Sequence, residues 1–484
     1  MPNDFLRKQV VSGLRWTAFT RSVTQLFTWS ATLLVMRFLT PTDYGLVAMA
    51  TIVSSYLMLL GEMGLSVALI QRPDLDLTTK RSVFGFLLLS GLVLFVTAAL
   101  LTPLASRYFA EPQLMPLILI VAVQFLLIPF TVIPQANLST EMRFAALGTT
   151  ALISGIVSAL ATLCLAYFGF GAYALVAGSV ILLLSKAIML NVLAPFLHWP
   201  LLNVHAISSF ATFSRSVLIQ RTIWYWHTEV DTIIVGSFFG AASLGLYSVA
   251  KQLATMLFER FAEIMSTVAT PAYSSVQKDL PKVRDMFIKT LRLSTMVAFP
   301  TFWGLALAAP EVVGLVLGNK WLAAVPLLQL LCISMPVQTL GSLSQTMLTA
   351  IGRQDVSLRC VMWSAGLVSC ALLAGSYWGA VGIAAGWAIG YPIAFALNSI
   401  RVSNALGISV ERYLRPLAKP LVCAALMVVV TSAITMIAPL GESRVFRLSV
   451  VTITGAVVFI GITLTIARAE AREFFKFGRL LLKR

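Results

Sequence analysis

Arg37-Phe38-Leu39-Thr40-Pro41-Thr42-Asp43-Tyr44-Gly45-Leu46 returns 200 residues later, without a gap, as Ser237-Phe238-Phe239-Gly240-Ala241-Ala242-Ser243-Leu244-Gly245-Leu246. In both copies an apolar stretch ends, a tight Gly-containing turn follows, and a second long apolar stretch begins. The same offset pairs Arg21 with Arg221. An odd-numbered span opens each copy, so both copies start from the same side of the bilayer. That is a parallel repeat about an axis along the membrane normal, an arrangement found in transporters. The expected organisation is an N-lobe over 1–200 (spans 1–6), a C-lobe over 201–402 (spans 7–12), and two appended spans with a basic tail over 403–484.

The surroundings of the repeat fix the solvent. Of 484 residues, 58% are hydrophobic and only 11% are charged, and the mean hydropathy is +0.90. Soluble domains carry about 25% charged residues. Water could not accommodate this much apolar surface, whereas lipid can. A spanning helix needs roughly 20 mostly apolar residues. Such stretches lie near Trp16 to Arg37, Tyr44 to Ile70, Ser82 to Pro103, Pro112 to Ala136, Ala145 to Phe168, Ala172 to Pro195 and Val217 to Phe239. The rest lie near Leu244 to Pro271, Met286 to Ala309, Ala323 to Ala350, Val356 to Tyr377, Ala380 to Ile400, Pro416 to Ala438 and Val445 to Ala467. The expected fold class is an all-α membrane protein of about fourteen transmembrane helices, with two pseudo-symmetric six-helix lobes plus two C-terminal helices.

Net charge is +16. In a soluble chain that would suggest nucleic acid; here it reads as topology, because Lys and Arg hold loops on the cytoplasmic side. With the N-terminus inside, Arg72, Lys80, Arg81, Lys278, Lys282, Arg284, Arg412, Arg415 and the tail fall inside. Outside loops keep only Arg37, Arg107, Lys320, Arg444 and Arg447. The asymmetry predicts an N-in, C-in orientation. The amphipathic start, Asp4 to Val11, is expected to lie along the inner surface, with no cleavable leader. Cys164, Cys332, Cys360, Cys370 and Cys423 form no CxxC pair, and only three His are present. No disulfide framework, metal site or cofactor is expected.

Charge inside the bilayer costs roughly 2.5–3.5 kcal/mol per residue on insertion scales. Arg21, Glu62, Lys186, Arg221, Glu229, Asp231, Lys251, Glu259, Arg260 and Glu263 fall within the expected spans, most of them in the seventh and eighth, and Arg215 lies at the start of the seventh as a loop-end charge. Arg21 and Arg221 lie 16 residues from the outer ends of their spans, and Arg260 lies 16 beyond Leu244. At 1.5 Å per residue each is about 24 Å deep, in the cytoplasmic third. Arg21, Arg221 and Arg260 are therefore expected to form a cationic floor that grips a lipid diphosphate, since the guanidinium fork binds phosphate oxygens bidentately. Snorkelling of Arg21 and Arg221, or pairing of Arg260 with Glu259, Glu263 or Glu229, is the structural alternative. On the seventh span Arg221, Tyr225, Thr228 and Thr232 share a face. Tyr225 is a candidate for stacking on sugar. Glu229, Asp231, Lys251 and Glu259 are cavity or coupling candidates; Asp231 or Glu229 could carry a coupling proton or cation, with structural pairing to Lys251 as the alternative.

Several stretches together resemble a known family. These are Glu62-Met63-Gly64-Leu65-Ser66-Val67-Ala68-Leu69-Ile70-Gln71-Arg72, Asp231-Thr232-Ile233-Ile234-Val235-Gly236 followed by Phe239-Gly240 and Leu244-Gly245-Leu246-Tyr247, Pro271 to Asp279, and Leu317-Gly318-Asn319-Lys320-Trp321. The chain resembles the polysaccharide transporter (Wzx-type) branch of the multidrug/oligosaccharidyl-lipid/polysaccharide flippase superfamily, and is similar to its colanic acid and exopolysaccharide exporters. The resemblance implies two six-helix lobes around a central cavity and alternating access in the bacterial inner membrane. The implied substrate is an undecaprenyl-diphosphate-linked oligosaccharide, with membrane lipid and polysaccharide polymerase machinery as partners and no nucleic acid. Arg21 and Arg221 are not fixed features of that family, so the diphosphate assignment rests on depth alone.

Two other functions are weighed against this one. An integral-membrane polymerase or ligase needs catalytic groups at the outer surface, usually on a large loop. Here the outer loops are short, and no P-loop, GxSxG or HExxH motif occurs, so no catalytic residue is expected. A cation- or proton-coupled multidrug antiporter on the same fold would favour acidic pockets, which three buried Arg oppose.

Overall fold

The computed structural model describes residues 23–62, 76–202, 204–437 and 443–468, with 20, 69, 470 and 472; the side chains of 60–62, 204–221 and 264–268 lie outside that description. The described residues are mostly helical and form no strand. In chain order they form α1 (23–38), α2 (Pro41–Glu62), α3 (Leu77–Tyr108), α4 (Leu114–Leu127), α5 (Pro129–Thr140), α6 (Phe144–Tyr167) and α7 (Ala172–Leu193). A helical stretch over Val204–Ser275 is broken at Gly240 (φ 76°, ψ 177°) into α8 (204–239) and α9 (241–275). Then follow α10 (Leu280–Val312), α11 (Val325–Ala350), α12 (Gln354–Gly375), α13 (Gly379–Leu406), α14 (Val410–Ile437) and α15 (Arg444–Ile466).

Among the described residues, ten stretches are long and apolar enough to cross a bilayer, or eleven with the bent pair α4–α5. Two of the ten exceed 40 residues and are broken near the middle. Thr222–Glu263 has 42 residues, about 63 Å of helix against a 30 Å hydrocarbon core, and breaks at Gly240. Gln354–Leu406 has 53 and breaks at the 3₁₀ turn Ser376–Trp378. Only 17% of the apolar window of α15 is buried within the protein, and Val457, Ile460 and Leu464 are exposed. A helix apolar on every face with so little protein around it needs lipid as its solvent.

Between the single spans expected over Pro112 to Ala136 and its observed counterpart lies one difference: α4 and α5 meet at 43°. Pro129 has no N–H to return to the carbonyl of Phe125, so the helix bends there. That carbonyl instead faces Gly91 of α3, where any side chain would collide with it.

The chain forms two compact units. The first holds Met1–Tyr225 and Gly236–Gly245. Its centre is α4, against which α2, α3 and α7 pack. Leu57, Leu94, Ala98, Ala122, Phe125 and Ile128 make one core there. Thr40 and Asp43 cap α2 reciprocally: Thr40 N donates to Asp43 Oδ2 (2.8 Å) and Asp43 N to Thr40 Oγ1 (3.3 Å). The other carboxylate oxygen of Asp43 accepts from Ala172 N (3.1 Å), tying the turn to α7. The two turns that open the sequence comparison meet inside this unit. A Cβ on Gly45 would overlap the carbonyl of Ala241, and a Cβ on Gly245 would overlap the carbonyl of Pro41. Pro41 and Ala241 are also 200 apart, so the contact is reciprocal: each glycine admits the other turn's backbone.

The second unit holds Trp226–Val235 and Leu246–Arg484. Here α10 packs on α11, α14 and α15, and α13 packs on α11 and α12. Glycines set the α12–α13 spacing: Gly375 and Gly382 each face the other's carbonyl. Tyr413 of α14 stacks on Phe287 of α10 at 5.9 Å, and its hydroxyl is 2.9 Å from Ser344 of α11. A π-helical turn at Val313–Leu317 and a 3₁₀ turn at Asn319–Ala324 connect α10 to α11. Gly318 (φ 99°) joins them in a conformation that L side chains rarely adopt.

Candidate functional site

Within the second unit the Trp226–Val235 segment of α8 lies beside α9 and α13. Asp231 is fully buried. A bare carboxylate there would be prohibitive, so its partners decide what it is. Its Oδ1 accepts from Lys251 Nζ of α9 (2.8 Å) and from Thr232 N (2.7 Å). Its Oδ2 accepts from Tyr247 Oη of α9 (2.6 Å) and Trp387 Nε1 of α13 (2.8 Å). Lys251 also donates to the Thr228 carbonyl (2.7 Å) and Thr232 Oγ1 (3.0 Å), with Glu229 at 3.8 Å. One carboxylate thus fastens three helices around a charge pair. Local sequence explains part of this: Thr228, Asp231 and Thr232 follow helical spacing, and Tyr247 and Lys251 are four apart on one face of α9.

His227 lies against Trp387 (5.7 Å) and Tyr391 (6.2 Å), and its buried Nδ1 makes no hydrogen bond among the described residues. Glu229 is one-third exposed and Lys251 one-fifth. The pair is therefore a buried anchor with a partly open acid on one side. That arrangement can hold the helices in register, and can offer Glu229 to a proton or a hydroxyl-rich ligand.

The other expected residues divide. Arg260 forms an ion pair with Glu263 (2.9 Å), and Glu259 is exposed. Tyr225 belongs to the first unit, where it donates to the Ile52 carbonyl and its ring lies 5.4 Å from Tyr56. Arg21 and the side chain of Arg221 lie outside the described residues, as does most of the Glu62 to Arg72 stretch. Sequence reading missed Trp387 and His227. Trp387 comes from 156 positions away and no local pattern marks it; His227 adjoins charges already singled out, but only the fold sets it between rings. Outside the spans, the carboxyls of Asp76 and Asp279 are held below the usual range by hydrogen bonds from Thr79 and Lys282 at the starts of α3 and α10.

The family model described as polysaccharide biosynthesis protein matches residues 34–326, well over half of the chain. The chain belongs to the polysaccharide biosynthesis protein family. Members similar to it include teichuronic acid biosynthesis protein TuaB of Bacillus subtilis, 25% identical over 98% of this chain and 99% of that protein. Lipopolysaccharide biosynthesis protein WzxC of Escherichia coli is 24% identical over 89% of each. Succinoglycan biosynthesis transport protein ExoT of Rhizobium meliloti is 26% identical over 72% of this chain and 71% of that one. Among solved structures, the lipid II flippase MurJ in an inward closed conformation matches with a TM-score of 0.73 at 14% identity, over 94% of this chain and 99% of that chain. At that identity the likeness concerns the fold. These findings agree with the Wzx-type resemblance drawn from the sequence.

Proposed function

We propose that this polysaccharide biosynthesis protein is a flippase: it moves an undecaprenyl-diphosphate-linked oligosaccharide from the inner to the outer leaflet of the bacterial cytoplasmic membrane by alternating access. The observation that carries the reading is end-to-end similarity to proteins of polysaccharide biosynthesis and transport, on the fold of a lipid II flippase. In the same reading the chain crosses fourteen times with both ends inside. The two long apolar stretches each count twice, α4–α5 counts once, and α1 completes the set. It acts without catalytic residues or a cofactor, beside polysaccharide polymerase machinery that consumes its product.

Arg21, Arg221 and Arg260 remain the proposed contacts for the diphosphate, on the depth argument, and Glu229 the proposed contact for sugar or a coupling proton. Because Asp231 is saturated by donors, it serves in this account as the anchor rather than the coupling acid. Replacing each Arg by Gln in cells that depend on export tests the assignment. Accumulation of the lipid-linked repeat on the inner leaflet is expected; full export by all three variants would remove it.

A further inference from the structure

Apart from the charged cluster at Asp231, the second unit holds a cavity of about 770 Å³ between the first turns of α10, the first turns of α14 and the residues after α15. Five cations line it: Lys289 and Arg292 from α10, and Arg412, Arg415 and Lys419 from α14. Among the described residues, two carboxylates do so, Asp285 and Glu470. Arg412 meets Asp285 at 3.4 Å, and Lys419 meets Glu470 at 3.1 Å. The described lining therefore carries five cations against two carboxylates.

This surplus follows from the helical register. Positions 285, 289 and 292 share one face of α10, and 412, 415 and 419 share one face of α14. The two helices pack together, so the faces meet across the cavity. Like charges set opposite one another repel. An anion between them converts that cost into attraction. The cations are mostly exposed, yet they converge on one space. Ile288, Pro416 and Ala418 add an apolar wall. The volume falls within the 300–1,000 Å³ of ordinary ligand sites, too large for one phosphate to fill. The ladder on α14 from Arg412 to Lys419 spans about 10 Å along the axis, enough for more than one phosphate. Basic pockets between spanning helices at the membrane surface suit phosphate-bearing lipid heads, whose tails remain in the bilayer.

We propose that this cavity is a binding site for the phosphate-bearing headgroup of an anionic lipid, separate from Arg21, Arg221 and Arg260. Two sources share that chemistry: a bilayer phospholipid, and the diphosphate-bearing carrier lipid itself. Glu470 closes the site against Lys419. Its carboxyl lies below the usual range because its own backbone N–H and Lys419 outweigh the effect of burial.

The test uses the full-length protein, purified and stripped of lipid, and native mass spectrometry with three probes: cardiolipin, undecaprenyl diphosphate and inorganic diphosphate. Phosphatidylethanolamine is the zwitterionic control. Cardiolipin or undecaprenyl diphosphate should be retained at least tenfold over the control, and Lys289→Gln with Arg415→Gln should abolish that preference. Whichever lipid is preferred identifies the source. If the double variant does not fold, a salt titration of the natural protein decides: retention should fall as ionic strength rises. Equal retention of the zwitterionic lipid, inorganic diphosphate binding as tightly as either lipid, retention unchanged in the variant, or salt-independent retention would each overturn the proposal.

Discussion

Replacing Asp231 by Ala probes the anchor of the second unit most sharply. The change removes a carboxylate that receives Lys251, Tyr247, Trp387 and the Thr232 amide. Lys251 is left with a positive charge largely out of solvent, and two ring donors lose their acceptor. Breaking a buried ion pair from one side costs about 3–5 kcal/mol, mostly for the stranded charge. Asn is no gentler. Each carboxylate oxygen already accepts from at least two donors, so the amide NH₂ must point at donors whichever way it turns. Removing the stranded charge as well should recover much of the loss. Asp231→Leu with Lys251→Met is expected to regain about 2 kcal/mol, since apolar replacement of a buried pair is often neutral. Thermal unfolding in detergent, followed by size-exclusion fluorescence, should place Asp231→Ala about 10 °C below the natural protein. The double variant should melt between the two. A single variant as stable as the natural protein, or a double variant no better than the single, would refute the anchor.

Other outcomes follow from the packing. Gly45→Val or Gly245→Val should each cost about 1–3 kcal/mol by overpacking, because the added carbon overlaps a carbonyl of the facing turn, and melting curves would register it. Tyr413→Phe keeps the ring on Phe287 and loses the hydroxyl at Ser344, for about 0.5–1.5 kcal/mol, whereas Tyr413→Ala should cost about 3–5 kcal/mol. Glu470 has a carboxyl below its ordinary value of 4.5. Its contribution is therefore present above that pH and lost as pH falls through the lower, folded value. Lys419→Met should flatten that acid limb of a stability–pH profile.

The spans were legible because lipid demands the same thing of every crossing: about twenty apolar residues and an internally bonded backbone. The stretches expected near Ala145 to Phe168, Ala172 to Pro195 and Val445 to Ala467 match α6, α7 and α15 to within a few residues. Hydropathy is blind to a bend, so Pro129 went unread inside a single apolar run. It is equally blind to the π and 3₁₀ turns around Gly318. The repeat was legible as Gly45 and Gly245, yet only coordinates reveal that each glycine receives the other turn. At the charged cluster, pairing of Asp231 with Lys251 could be weighed from sequence because both lie near one turn. The contribution of Trp387 could not, because its packing depends on where α13 comes to rest.

The central claim is translocation of a lipid-linked sugar. The most direct measurement reconstitutes the purified protein in liposomes with a fluorescent undecaprenyl-diphosphate oligosaccharide and follows its exposure to an impermeant quencher. The account predicts protein-dependent movement between leaflets, slowed when Arg260 is replaced by Gln. Movement no faster than in protein-free liposomes, with a cationic drug carried instead, would contradict it.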